Sequence, residues 1–141
     1  MVDVVVRAAE ITDLGAVLAF WRVAAEDAHR PVDTPGALAA LHLRDPEALI
    51  VAVDGAEIVG TVIAGWDGWR CHLYRLAVRP SRRRQGIGQA LVTAAENRFR
   101  ALGGTRADAM VLDDNDRAHH IWKTAGYHRQ PEWSRWVKPL A

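Results

Sequence analysis

Apolar and polar positions along this chain repeat with two periods, and the points where the period changes mark its elements. Val2 to Val6 is a short β-branched run that predicts a first strand. From Leu14 the period lengthens. Leu14, Val17, Leu18 and Trp21 share one helical face, with Thr12 or Asp13 ahead of them as the cap. Asp33-Thr34-Pro35 opens a second helix, with the proline at the first helical position and Leu38 and Leu41 facing inward. The link between the helices, Asp27 to Asp33, contains His29, Arg30 and Pro31 and reads as an exposed loop. Leu49 to Val53 and Ile58 to Trp66 then flank Asp54-Gly55, and Asp67-Gly68 precedes Trp69 to Val78. Asp-Gly between apolar runs predicts a hairpin, because both residues tolerate positive φ. Three antiparallel strands therefore form a meander.

After Pro80 the helical period returns, with Ile87, Leu91, Ala94 or Ala95 and Leu102 on one face and a stop near Gly103-Gly104. Arg106 to Leu112 predicts another strand. Asn115 or Asp116 caps a last helix through Ile121, Trp122 and Ala125, with Gly126 as its stop. Tyr127 to Arg129 and Arg135 to Val137 predict a closing hairpin around Pro131. The order β-α-α-β-β-β-α-β-α-β-β is that of one mixed α/β sheet. No linker or repeat divides the chain, and 141 residues, half of them hydrophobic, suffice for a core, so residues 1–141 read as a single domain.

Composition narrows the partners. A formal net charge of +1 creates no global field for nucleic acid or membrane, and positive charge is local, around Arg79 to Arg84. The one cysteine, Cys71, excludes an internal disulfide and fits a reducing compartment. No apolar run approaches the roughly 20 residues that span a bilayer, and Met1 to Glu10 lacks the apolar stretch of a signal peptide. The chain reads as cytoplasmic, with neither nucleic acid nor membrane as partner. His119-His120 does not make a metal site: neighbours on a helix diverge by about 100°, and no second pair of ligands stands at useful spacing.

The stretch Arg82-Arg83-Arg84-Gln85-Gly86-Ile87-Gly88-Gln89-Ala90-Leu91 carries the most chemistry. It puts a glycine-containing loop and a helix N-terminus directly after a strand. The unpaired N–H groups of a first helical turn and the helix dipole favour an anion, and the arginines add formal charge. It is not a Walker loop, since no Lys-Ser or Lys-Thr pair follows Gly88. Nor is it a dinucleotide fingerprint, since only Gly86 and Gly88 are present after a strand that belongs to a meander. A pyrophosphate site beside a central strand remains.

Leu76-Ala77-Val78-Arg79-Pro80 followed by Arg83-Arg84-Gln85-Gly86-Ile87-Gly88 resembles the Arg/Gln-x-x-Gly-x-Gly/Ala motif of the GCN5-related N-acetyltransferases. The helix pair after strand one, the meander, and Asn115-x-x-Ala118 through Ala125-Gly126-Tyr127 stand in that family's order, so the resemblance covers nearly the whole chain. It implies the family's fold and acetyl-CoA as the phosphate-bearing acetyl donor. Arg83, Arg84, Gln85, Gly86, Ile87, Gly88 and Gln89 would hold the pyrophosphate. The main chain of Leu76, Ala77 and Val78 would hold the pantetheine arm, with an amide near Ala77 or Val78 polarising the thioester carbonyl. Asn115 would act as a cofactor contact, a helix cap, or both.

The resemblance also marks two departures. Where many members carry a glutamate base, six residues before the valine matching Val78, this chain has His72, whose imidazole can take the ammonium proton directly or through water. Where many carry a tyrosine acid, seven residues after the asparagine, it has Trp122. An indole N–H donates a hydrogen bond but is no practical acid, so Trp122 packs or stabilises sulfur, or the proton comes from elsewhere. Tyr74 and Tyr127 are candidate substitutes, with core packing as the alternative role of each. Trp21, Glu26, His29 and Trp66, with Asp27 and Trp69, are candidates for the acceptor site, where aromatic walls and carboxylates suit an amine. The reading is acetyl transfer to a primary amine in a ternary complex. Its rival, motivated by Trp122, is an acyl-CoA-binding sensor of the same fold. The acceptor and the oligomeric state, including a homodimer, stay open.

Overall fold

Among the described residues five strands form one sheet in the order β1-β2-β3-β4-β5. β1 (Val4–Ala8), β2 (Leu49–Asp54), β3 (Glu57–Trp66) and β4 (Cys71–Val78) run antiparallel to their neighbours, and β5 (Ala107–Ala109) joins β4 in parallel. Among the described residues four α-helices accompany them: α1 (Leu14–Ala24), α2 (Pro35–Arg44), α3 (Ile87–Ala101) and α4 (Asp116–Thr124). The structure, a computed structural model, describes residues 3–25 and 32–141. Val2 and the expected acceptor residues Glu26, Asp27 and His29 lie outside the described residues. The chain forms two compact units, one ending at Met110 and the other spanning Val111–Ala141. The first contains the sheet and α1 to α3, the second α4.

In the first unit β2 is buried from Leu49 to Val53, as a central strand covered on both faces must be. Val17, Phe20 and Trp21 of α1 and Leu38 of α2 form one core with Leu49, Val51, Val53, Ile58 and Ala77. Such side chains each contribute about 1.5–3 kcal/mol on burial. Thr34 caps α2 by accepting from Ala37 N–H at 3.1 Å, with Pro35 at the first turn as the sequence predicts. α3 buries Ile87, Leu91, Val92, Ala95 and Phe99. Leu102, expected on this stripe, is beyond the last full turn and 41% exposed.

The pairing of β3 with β4 slips by one residue. Thr61 faces Ala77 and Ile63 faces Tyr74, so Val62 opposes both Arg75 and Leu76 in a β-bulge. Arg75 takes the left-handed conformation, φ +53°, at a cost of about 1–2 kcal/mol for a residue with a Cβ. Its surroundings hold it there. Thr61 Oγ1 donates to the Arg75 carbonyl at 2.9 Å and accepts from Trp21 Nε1 at 2.8 Å. The Arg75 guanidinium pairs with Asp33 and lies 5.2 Å from the Trp21 ring.

Three expectations are corrected. β4 begins at Cys71 because Asp67 Oδ1 accepts from both Trp69 and Arg70 N–H, at 2.8 and 2.6 Å, which closes a longer turn. Trp66 therefore faces Cys71 across the ladder, while Trp69 stays in the turn, 72% exposed, with the Arg70 guanidinium 3.7 Å above its ring. β5 stops at Ala109, not Leu112. The closing hairpin does not form: Tyr127–Ala141 contains no strand. Pro131 and Pro139 lack backbone donors, and Trp133, Trp136, Val137 and Leu140 are exposed and do not alternate as a buried strand face requires. Among the described residues no helix is long and apolar enough to cross a membrane.

Candidate active site

The loop after β4 is built to present backbone donors. Arg84 and Gly86 are both left-handed, φ +63° and +79°, and Gly86 is the N-cap of α3. Arg83 before them is extended, φ −70° and ψ 160°. Gly86 offers no capping side chain. An added Cβ at Gly86 would meet nothing within 4 Å, so the approach to the helix end is open. The residues expected to hold a pyrophosphate, Arg83 to Gln89, thus include a glycine-started helix N-terminus with open space at Gly86, where first-turn N–H groups can meet an anion.

The arginine run divides into two roles. Arg79 donates to the Ile58 carbonyl through Nε and a terminal nitrogen, at 3.1 and 2.8 Å, and pairs with Glu57. Arg82 donates to Asp54 at 2.9 Å and to Gln85 Oε1 at 3.2 Å. These two brace the loop against β2 and β3. Arg83 and Arg84 carry the remaining charge of the loop.

Beside the loop, β4 keeps an edge for a ligand. β5 pairs only with Cys71 to Leu73, so strand pairing on that side stops well before Val78. Arg79 N–H donates to Val59 at 2.8 Å, toward β3. Ala77, two residues earlier, points its main-chain groups the same way, at its partner Thr61. Val78 between them points its N–H and C=O to the β5 side. Of the two amides the sequence leaves open, Val78 is the one that faces away from β3.

His72 lies near the start of the same strand, in register with Gly65 on β3 and Asp108 on β5. Its Nδ1 is 2.8 Å from Asp108 Oδ1 and its Nε2 is 3.6 Å from Asp67 Oδ2. The Tyr74 ring is 6.2 Å away, centroid to centroid. The backbone N–H groups of Arg70 and Trp69 hold the Asp67 carboxyl below its usual range, with His72 adding to the effect. Asp108 carries no signal in the sequence; only the parallel register brings it beside His72.

The other predicted residues are distributed as follows. Trp21 is 3% exposed and its N–H is engaged by Thr61, so it forms core rather than an acceptor wall. Trp66 is half-buried on β3. In the second unit, Asn115 caps α4 by accepting from Ala118 N–H at 3.1 Å. Trp122 is buried, with the Tyr127 ring edge-on at 5.0 Å. Among the described residues no group of three or more His, Cys, Asp or Glu is arranged to hold a metal ion.

Cys71 is buried, and desolvation raises its thiol above the ordinary value. It is accordingly expected to react with a disulfide reagent at neutral pH far more slowly in the folded chain than in denaturant. Fast labelling of the native protein would reopen a covalent route.

Comparison with known proteins adds three findings. The sequence model of the acetyltransferase (GNAT) family matches residues 16–127. An acetyltransferase of Pectobacterium atrosepticum is 34% identical over 116 residues, 82% of this chain and 81% of that one, and one of Sodalis glossinidius is 35% identical over 61% of either chain. Among solved structures, the diaminobutyrate acetyltransferase of Paenibacillus lautus, in complex with its substrate L-2,4-diaminobutyric acid and coenzyme A, superposes with a TM-score of 0.73 at 23% identity over 88% of this chain and 75% of that one. An aminoglycoside antibiotic 6′-N-acetyltransferase of Acinetobacter haemolyticus gives 0.73 at 17% over 97% and 99%. Both have the same mixed α/β fold.

Proposed function

The chain belongs to the acetyltransferase (GNAT) family, and from that premise we propose that it moves an acetyl group from acetyl-CoA to a primary amine by direct attack in a ternary complex, in the cytoplasm. The observation that carries the reading is the left-handed Gly86 that starts α3 without a capping side chain of its own, next to the side of β4 that β5 leaves unpaired beyond Leu73. Acetyl-CoA supplies the activated acetyl group. Arg83 to Gln89 hold its phosphates, and Leu76 and Val78 receive its pantetheine arm through their main chain. Amine acceptors are supported by the two structural relatives, whose names specify a diamino acid and an aminoglycoside.

His72 is the proposed base. Its imidazole takes the ammonium proton directly or through water. Water also returns a proton to the departing thiolate, since Trp122 has none to give. His72→Gln is expected to lower kcat/KM at neutral pH about 100-fold or more, leave coenzyme A affinity unchanged, and recover part of the loss at high pH, where the amine is already neutral. An unchanged pH–rate profile would remove His72 from the reaction.

A second reading rests on Trp122 alone: an acyl-CoA-binding sensor of the same fold. Thioester consumption across an amine library decides between them. Binding without turnover, even at high pH, selects the sensor.

A further inference from the structure

We propose that Asp108 is a positioning residue that fixes the tautomer and ring orientation of His72; the inference rests on His72 acting as the base. Asp108 and His72 are partners in the parallel register of β5 and β4, so their side chains emerge side by side on one face of the sheet. The Nδ1–Oδ1 separation of 2.8 Å is a full hydrogen bond. An ionised carboxylate only accepts, so Nδ1 carries the hydrogen, and the neutral ring keeps its lone pair on Nε2.

Asp67 completes the arrangement without competing for that lone pair. Its Oδ2 is 3.6 Å from Nε2, outside hydrogen-bond distance, while its Oδ1 is occupied by the Trp69 and Arg70 N–H groups. When Nε2 takes a proton, the ring becomes a cation between two carboxylates already in place. Imidazole in water favours the opposite tautomer, with hydrogen on Nε2, which cannot accept a proton there. Asp108 thus selects the basic form before any substrate arrives. It does so from a strand of three residues, Ala107–Ala109, which is short but pairs with β4 directly opposite the histidine.

A plain surface ion pair would tie β5 to β4 with no tautomer preference and would contribute about 0–1 kcal/mol. The two cases separate spectroscopically. In the ¹⁵N-labelled full chain, long-range ¹H–¹⁵N correlations report which ring nitrogen of each histidine bears hydrogen, and His72→Gln assigns the His72 signals among the six histidines. The expected result is an Nδ1–H tautomer in the parent, a shift toward Nε2–H in Asp108→Asn, and the parent pattern again in Asp108→Glu. Hydrogen on Nε2 in the parent, or an unchanged pattern in Asp108→Asn, overturns the proposal. Because the spectrum needs no acceptor, it tests Asp108 independently of the reaction. The pH–rate profile of His72→Gln tests the base independently of Asp108. With both in place, Asp108→Asn lowers kcat at least tenfold and leaves the KM for acetyl-CoA unchanged.

Discussion

Gly86→Glu is expected to abolish coenzyme A binding while the protein stays folded. Gly86 is left-handed at φ +79° with nothing within 4 Å of where a Cβ would stand, so the substitution meets no wall. Its direct cost to the fold is conformational, about 1–2 kcal/mol. A carboxylate at a helix N-terminus recovers about 0.3–1 kcal/mol of that from the α3 dipole. Binding suffers from the same favourable placement. On the proposed reading the side chain stands at the start of α3 and its charge competes with the pyrophosphate for the first-turn N–H groups. Affinity measured by calorimetry should fall more than about 100-fold, or about 2.7 kcal/mol, with a melting curve that remains cooperative. Gly86→Ala separates strain from charge: it carries the conformational cost, lacks the carboxylate, and should keep affinity within about tenfold. Parent-like binding by Gly86→Glu would mean that the phosphates lie elsewhere.

The part of the site that depends on local chain geometry was legible in the sequence. Gly86 and Gly88 announce a helix start without side-chain obstruction, Pro80 closes β4, and Thr34-Pro35 and Asn115 cap their helices as the residue types require. What the sequence hid depends on register and long-range pairing. Nothing local to Asp108 says that it faces His72, because a three-residue strand must first pair in parallel at the right offset. Arg75 looks like a misplaced charge inside an apolar run. Only the bulge at β4, with Asp33, Trp21 and Thr61 converging on it, accounts for a buried guanidinium there. The arginine run misled in another way. Counting charges from Arg79 to Arg84 overstates what faces an anion, since Arg79 and Arg82 turn back to Ile58, Glu57 and Asp54. The absent closing hairpin shows the limit of reading aromatic residues as strand formers: Trp133 and Trp136 lack the alternation that would bury them on one face.

Gly60→Val is expected to damage stability and coenzyme binding together, from a position inside the sheet. Gly60 pairs with Val78 on β4, and α3 crosses it so closely that a Cβ would lie 2.8 Å from Leu91 Cδ1, 3.0 Å from Ile87 Cγ2 and 3.2 Å from the Ala77 carbonyl. The Leu91 methyl can turn aside. The Ala77 carbonyl is part of the strand, and Ile87 is branched and sits in the first turn of α3, so neither yields easily. Valine at this position should cost about 1–3 kcal/mol through overpacking. The helix can relieve it only by moving off the sheet, and its first turn moves with it. That turn directly follows Gly86, so the loop loses its setting relative to the Val78 edge, and coenzyme A affinity should drop about tenfold or more. Leu91→Ala supplies the check. Alone it opens a cavity and costs about 2–5 kcal/mol. Combined with Gly60→Val it returns the volume the valine needs, so the double variant should be at least about 1 kcal/mol more stable than the sum of the two losses predicts, and part of the affinity should return. Strict additivity, with binding unaffected by Gly60→Val, would show that this contact does not set the position of the phosphate loop.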